Sequence, residues 1–380
     1  MGPNSRREYV RKMSHRYLRQ STRQRKSSLI DEVCAVLECH RKHAIRILNA
    51  PPRTPPAGHK RRRRKRYGAK VRSALLRIWD AADYTCPALL HPRLSFWVGL
   101  LTGKGHLAVD TETEELLKHI SLSTVERILS TERHRRPTGR YCPRRKGVSA
   151  FVRSVPVEIL PRPAMTPGIV DTDVVQHDGG DPHGTFLCTV SFKERYSYWE
   201  CFEAVWGHSR GAVLGAIRSV YERSPFKWRQ MHFDGGREYI NREVLGWCDG
   251  HGIRYTKGRP YKSNDNARIE NANRFTVRRH VGHKRRDNRA QQAPLTEVYR
   301  MIELYNNFFH ASRKLVGVKT HEIDGVRHHR KLYETPRTAY ERILASSDVA
   351  PTVKARLTRL YKKLDPVTLI GHIRKCLAKL

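Results

Sequence analysis

The sequence predicts a multidomain protein in which all-α modules precede an α/β core and a helical C-terminal extension follows it. In the middle of the chain, three β-rich segments (168–176, 185–192 and 197–205) are followed by helix-like and strand-like segments in alternation, an order typical of an α/β layer structure. On both sides of this stretch, apolar residues recur at helical spacing. Basic segments with proline separate the parts, and proline cannot continue a helix.

Changes in composition and periodicity give the expected domain boundaries. The N-terminal helices end at a proline-rich basic stretch, and a second basic stretch precedes the first long β-rich segment. The expected parts are a helix-turn-helix module (1–50), a basic linker (51–68), a second helical or helix-turn-helix module (69–133), a basic linker (134–151), a catalytic core (152–310) and a helical extension (311–380).

Two N-terminal segments have the pattern of DNA-reading helices. In the first module, two short amphipathic helices are joined by a tight turn and the second helix is basic, which predicts a helix-turn-helix. In the second module, the helix near Val125 has an apolar stripe and an outward polar face, a pattern that a small packing helix would share. The expected DNA contacts are Arg41, Lys42 and Arg46 in the first module and Thr124 and Arg127 in the second.

Cysteine and histidine also cluster in the first module, which raises the alternative of a zinc site. The four residues are Cys34, Cys39, His40 and His43. Their spacing does not fit a Cys2His2 site, and Cys34 already belongs to the apolar stripe of its helix. We therefore expect core cysteine and surface histidine. The chain's eight cysteines form no CxxC pair, which indicates reduced thiols in a cytoplasm.

The charge balance indicates a polyanionic partner. There are 74 Lys and Arg against 36 Asp and Glu, a formal charge of +38, and nucleic acid fits this excess best. The linker contains a run of Lys and Arg at 60–66, from which we expect phosphate contacts by Arg61, Arg62, Arg63 and Arg64. No apolar stretch long enough for a membrane span and no signal peptide is visible, so we expect a cytoplasmic, nucleoid-associated protein of a bacterium.

Three acidic residues have the surroundings of a metal site. Asp173 lies in a β-branched strand-like run, and Asp234 ends a short one just before two glycines. Glu270 follows Asp234 after 35 intervening residues, in a helix-like segment. Carboxylates that converge from strands and a helix can hold hard divalent cations. Asp171 is the rival for the first position, because it shares a strand face with Asp173.

The words around these acids resemble the catalytic core of the integrase-type DDE transposases, found in bacterial insertion sequences and in retroviral integrases. They read DTDVVQHDGG at Asp173, FDGGREYIN at Asp234 and GRPYKSNDNARIENAN at Glu270. The resemblance implies a ribonuclease-H-like core with a mixed five-stranded sheet and helices on both faces. It implies that Asp173, Asp234 and Glu270 are catalytic and bind two Mg²⁺ ions, for which Mn²⁺ can substitute, with no organic cofactor.

The same resemblance implies the substrate and the assembly. The enzyme would cleave DNA at the 3′ ends of its mobile element and join them to target DNA, acting as a homo-oligomer on double-stranded DNA away from membranes. In the family the helix that carries the glutamate lies along the DNA, so Asn266 and Arg274, four residues either side of Glu270, and Lys262 are expected DNA contacts.

Two other classes share part of this pattern. A DNA-binding regulator with an inactive core would keep the basic modules but has no reason to keep all three acids. A ribonuclease H or Holliday-junction resolvase would share the metals and the fold, yet such enzymes seldom carry two N-terminal helix-turn-helix modules. The sequence therefore favours the transposase.

Overall fold

A computed structural model describes residues 3–50, 66–133, 155–158, 164, 166–233, 238–259, 267–323 and 326–380 of the chain. The chain divides into two compact units, Met1–Arg66 and Tyr67–Leu380. Nowhere in these described ranges is there a helix both long and apolar enough to cross a bilayer.

The first unit has three helices: α1 (Pro3–Leu18), α2 (Arg23–Leu37) and α3 (Arg41–Asn49). Glu38 adopts a left-handed conformation (φ 49°) and ends α2, so the chain turns sharply into α3. From α1, the buried Ser14 hydroxyl donates to the Leu48 carbonyl of α3 (2.6 Å). The predicted two-helix pattern is therefore completed by a third helix, α1. Its use as a helix-turn-helix stays a prediction.

The second unit starts with helices that surround buried tryptophan and leucine side chains. They are α4 (Ala69–Ala81), α5 (Pro87–Leu90), α6 (Leu94–Gly103), α7 (Thr111–Lys118) and α8 (Leu122–Arg133). One hydrophobic core contains side chains from these helices together with side chains from the central sheet and from the last helices of the chain. The helical region thus belongs to the same compact unit as the sheet.

The predicted mixed five-stranded sheet is confirmed. Its strands are β1 (Ile169–Gln176), β2 (Leu187–Glu194), β3 (Glu200–Trp206), β4 (Gln230–Phe233) and β5 (Arg254–Lys257). The spatial order is β3-β2-β1-β4-β5; β2 is antiparallel to β1 and β3, and β4 is parallel to β1 and β5. β-Branched and aromatic residues occur in every strand, because such side chains pack well on a pleated surface.

Alternation of side chains separates the two faces of the sheet. The helices α9 (Arg210–Arg223) and α10 (Arg242–Gly250) share a core with Val190 and Phe192 of β2. The opposite face, which includes Val175, is covered by the segment after residue 266 and by α13 (Gln292–Phe308). Because Asp171 and Asp173 alternate in step with Val175, both acids lie on this second face.

The C-terminal part differs from the prediction of an entirely helical extension. Within the segment predicted to be helical, β6 (Leu315–Ile323) and β7 (Val326–Tyr333) form an antiparallel hairpin. Where their side chains are described, both strands are solvent-exposed apart from the half-buried Gly317 and Leu332, so neither has the apolar alternation that identifies a half-buried strand. The last part is helical as expected: α14 (Ala339–Ala345), α15 (Pro351–Lys363) and α16 (Pro366–Leu377).

Tyr305 tests the packing of the helical region against the core, because its buried hydroxyl donates to the Ala81 carbonyl of α4 (2.8 Å). We predict that Tyr305→Phe lowers the free energy of unfolding by about 1–3 kcal/mol, since a buried carbonyl loses its donor. Urea denaturation measures this. The control Tyr340→Phe, which removes a bond to the part-buried Thr358 hydroxyl, should cost less. Equal losses of unfolding free energy in the two variants would mean that the hydrogen bond to α4 contributes no more to stability than the part-buried bond to Thr358 does.

Candidate active site

Asp173 lies in the middle of β1, half-buried, on the face covered by the helix that carries Glu270. Its Oδ1 accepts from the backbone N–H of Val174 (2.8 Å) and its Oδ2 accepts from the side-chain amide of Asn273 (2.8 Å). The second bond spans 100 residues of sequence, so it fixes the carboxylate against an element that is distant in the chain. Both oxygens are therefore oriented by hydrogen bonds.

Glu270 lies exposed on α11 (Ala267–Ala272), which packs on the sheet through Ile269 and Ala272. Asn273 follows three residues later, one helical turn from Glu270, and provides the bond to Asp173. The structure thus joins the helix of the third predicted acid directly to the strand of the first.

The second predicted acid, Asp234, lies outside the described residues. The residue before it, Phe233, ends β4 and pairs with Thr172, the residue before Asp173, in the parallel register of β1 and β4. Among the described residues, no group of three or more His, Cys, Asp or Glu is arranged to hold a metal.

The helical segment that carries Glu270 is interrupted after it. A π-helical turn occupies Asn273–Arg278, a short helix α12 (Arg279–Val281) follows, and Gly282 (φ 79°) ends it. Such turns are often found at functional sites. Here the turn leaves Phe275 exposed over 59% of its surface, with the Arg274 guanidinium 5.5 Å from its ring.

The predicted DNA contacts of this region are described only in part. Arg274 is exposed on the π-helical turn, whereas Lys262 and Asn266 lie outside the described residues. Sequence reasoning missed Phe275 and Asn273. Asn273 stands in the ENAN motif, one helical turn after Glu270, but its hydrogen-bond partner, Asp173, could not be identified without knowledge of the sheet.

Asp171, the alternative candidate for the first acid of the predicted site, forms a buried ion pair. Its Oδ1 accepts from Arg195 Nε (2.6 Å), and both side chains are almost fully buried. Burial raises the pKa of Asp171, and the charges of Arg195 and Arg268 oppose that rise. Neither Asp171 Oδ2 nor Arg268 NH1 has a hydrogen-bond partner among the described residues. The pairing favours a structural role for Asp171 and leaves Asp173 as the acid available for chemistry.

Positive charge accumulates around Tyr198, in the turn between β2 and β3. Four cationic groups lie within 6 Å of its ring: Lys193 at 5.4 Å, Arg268 at 5.9 Å, Lys314 at 5.5 Å and Arg342 at 5.0 Å. Burial and the neighbouring Arg342 lower the pKa of Lys314 to about 8. Arg268 belongs to the same helix as Glu270, so this cationic cluster adjoins the candidate site.

The predicted contacts in the first unit differ in their availability. Arg41 is held by Asp31 and by the Ser27 hydroxyl (2.7 Å), so its charge is partly neutralised. Lys42 is exposed, and Arg46 is exposed beside the His43 ring (3.0 Å).

The four cysteine and histidine residues that raised the zinc alternative have other contacts. Cys34 and Cys39 pack against the three-helix core, as expected of core cysteines. The His40 ring accepts from the backbone of Lys42 at the start of α3 (3.2 Å).

In the second module and the linker, the predicted contacts are only partly described. Thr124 is half-buried, with its hydroxyl 3.0 Å from the Ser121 hydroxyl at the start of α8, and Arg127 is exposed. The linker residues Arg61, Arg62, Arg63 and Arg64 lie outside the described residues.

The chain was compared with known proteins. No protein-family model matches it. Uncharacterized protein y4rM of Sinorhizobium fredii (strain NBRC 101917 / NGR234) is 34% identical over 313 residues, which cover 82% of this chain and 88% of that protein. Among solved structures, the catalytic core domain of BIV integrase in crystal form I is 16% identical, with a TM-score of 0.28, and the match covers 37% of this chain and 82% of that one. The length matched by the first relative exceeds the sheet, so that similarity extends to helical parts of the chain.

Asp171 and Asp173, two residues apart on one strand face, give a matched test of structural and chemical roles. We predict that Asp171→Asn lowers the free energy of unfolding by about 3–5 kcal/mol, because Arg195 is left buried without its counter-charge. Asp173→Asn keeps one acceptor oxygen and places an NH₂ donor at the other position; because Asp173 is only half-buried, the cost should be about 1 kcal/mol. Urea denaturation of the two variants measures the difference. Similar losses in both would contradict the assignment of Asp171 as the structural acid.

Proposed function

We propose that this chain, which belongs to the same family as uncharacterized protein y4rM, is a transposase that cleaves DNA at the 3′ ends of its element and joins them to target DNA. The observation that carries the proposal is the hydrogen bond from Asn273 to Asp173. It attaches the helix of Glu270 to the strand of Asp173, in a chain whose three acids have the sequence context of the DDE transposases.

The proposed catalytic residues are Asp173, Asp234 and Glu270. Oxygen ligands of this kind suit Mg²⁺, and Mn²⁺ can replace it. When bound, two such ions polarise an attacking water or 3′-hydroxyl and stabilise the leaving oxygen of the phosphodiester. The side chains themselves would hold the cations and reduce their mutual repulsion. Asn273 would keep the Asp173 carboxylate oriented, because it donates to one oxygen and leaves lone pairs on both.

Other residues near the site fit a polyanionic substrate. Arg274 and Phe275 are exposed on the turn after Glu270, where a cation and an aromatic ring could contact phosphate and an unstacked base. Lys262 and Asn266 are proposed DNA contacts from the sequence alone. The charge of +38 supports this assignment, since phosphate contacts dominate the affinity of proteins for DNA.

The helical modules would recognise the terminal repeats of the element. In this proposal α3 contacts DNA through Lys42 and Arg46, with Arg41 released from Asp31, and α8 contributes Thr124 and Arg127. The basic linker would follow the phosphate backbone through Arg61 to Arg64. Joining two element ends requires two sites at once, so we propose a homo-oligomer assembled on DNA.

Glu270→Gln tests the proposed chemistry. We predict that this variant loses strand transfer by more than about 100-fold, because a metal ligand should matter more than the 10–100-fold typical of outer-shell residues. The assay uses the full chain, Mg²⁺ or Mn²⁺, and a labelled duplex with the terminal repeat. Glu243→Gln, which removes the same charge from an exposed position on α10, serves as the control and should remain active.

The outcomes of that assay separate the function classes. Joined products that require metal and disappear in Glu270→Gln, with DNA binding intact, support the transposase. DNA binding without nicking or joining in the unmodified chain favours a regulator. Cleavage of RNA–DNA hybrids or of junctions, without end joining, indicates a nuclease.

Asn273→Ala tests the positioning of Asp173. We predict that the Mg²⁺ concentration for half-maximal strand transfer rises about 10–100-fold, because the carboxylate loses the donor that orients it. The control is Asn271→Ala, at an exposed position of the same helix. A fall in maximal rate at saturating metal, with the metal requirement unchanged, would show that Asn273 does not act through Asp173.

A further inference from the structure

The hairpin formed by β6 and β7 (residues 315–333, called the arm below) stands apart from the rest of the second unit. It forms a two-stranded sheet of its own and is not paired with the five-stranded sheet. The described side chains from Leu315 to Thr320 are exposed, apart from the half-buried Gly317. A two-stranded hairpin is at best marginally stable in water. The arm therefore has the character of an element completed by a partner.

Large apolar side chains are concentrated on this arm. Of the ten large hydrophobic residues that are exposed within the described part of the chain, four lie here: Leu315, Val316, Val318 and Tyr333. Val316 and Val318 are exposed over 60% and 51% of their surfaces. Contiguous exposed apolar groups mark interaction sites more often than single ones do.

The charges of the arm identify the chemistry of the partner. Lys319 lies directly opposite Arg330 in the antiparallel register, and both are exposed. Like charges in directly opposite positions destabilise a strand pair. Neither residue makes an ion pair with any described residue. An anionic partner would turn this repulsion into attraction.

From these observations we propose that the arm binds the phosphate backbone of duplex DNA through Lys319 and Arg330. This rests on the proposed function, which supplies DNA as the partner. A two-stranded ribbon has the width that the major groove of DNA admits, and valine side chains can make apolar contacts with groove walls. A second copy of the chain is the competing occupant. In a symmetric contact between two arms the same basic faces would meet, and their charges would repel.

The salt dependence of binding tests the phosphate contacts. The full chain is titrated with a duplex of arbitrary sequence over a series of salt concentrations. The variant Lys319→Gln/Arg330→Gln is expected to reduce the slope of log affinity against log salt by about 1.8, or about 0.9 for each lost phosphate contact. The control Lys362→Gln/Lys363→Gln removes the same charge from exposed positions of α15 and should change the slope by less than half as much. Equal changes in both variants, or no change in the arm variant, would overturn the proposal.

A charge reversal separates DNA binding from a purely structural role. Lys319→Glu places an acid opposite Arg330, so hydrogen exchange of the backbone amides in the arm should slow in the absence of DNA. The same variant should bind DNA more weakly. Slower exchange with unchanged DNA affinity would overturn the proposal, as would a change in sedimentation without a change in DNA affinity, which would indicate a second copy as the partner.

These outcomes also distinguish the arm from the proposed function. If the unmodified chain does not bind duplex DNA, both assignments fail together. If it binds and joins DNA while the arm variants behave like their controls, only the assignment of the arm fails.

Discussion

The arrangement of the site depends on one constraint: two carboxylates lie on a face of β1 that is covered by other elements. Burying a charge is costly unless it is paired or hydrogen-bonded. Asp171 meets this requirement through Arg195, and Asp173 through the amide of Asn273. The hydrogen bond between Asp173 and Asn273 also constrains the fold, because Asn273 belongs to the helical segment that carries Glu270. The need to satisfy Asp173 therefore also fixes the position of the third acid.

The sequence predicted the parts of this arrangement that local patterns determine. The first three strands of the sheet were placed to within three residues at every end, because β-branched and aromatic runs bounded by turns are characteristic of buried strands. What escaped prediction depends on distant contacts or on solvent. The pairing of Asp171 with Arg195 requires the β1–β2 register. The π-helical turn at Asn273 has no local signal. The arm lies in the extension that was predicted to be helical, and an exposed hairpin gives no apolar alternation by which to recognise it.

The large positive charge of the chain is not equally available to a partner. Arg195, Arg223 and Arg342 are paired with Asp171, Glu303 and Glu334, so their charge is used inside the fold. Arg41 is paired at the surface, where the interaction is weak and screened by salt, so DNA could compete for it. Exposed cations without an acid opposite them, such as Lys319 and Arg330, attract a polyanion with a charge that no ion pair among the described residues reduces. The distribution of acids therefore indicates, better than the total charge does, which basic residues are available to a polyanionic partner.

The same reasoning connects the arm with the candidate site. In most of the chain, local preference and global fold agree, as they must in a sequence that specifies one structure. Exceptions include like charges paired across the arm, an exposed phenylalanine on the turn after Glu270, and the buried Asp171 oxygen that lacks a hydrogen bond within the described residues. Each of them lowers the stability of the free protein. A bound polyanion would offset the first two. Under the proposed function, the site and the arm would therefore be completed by the same partner, DNA.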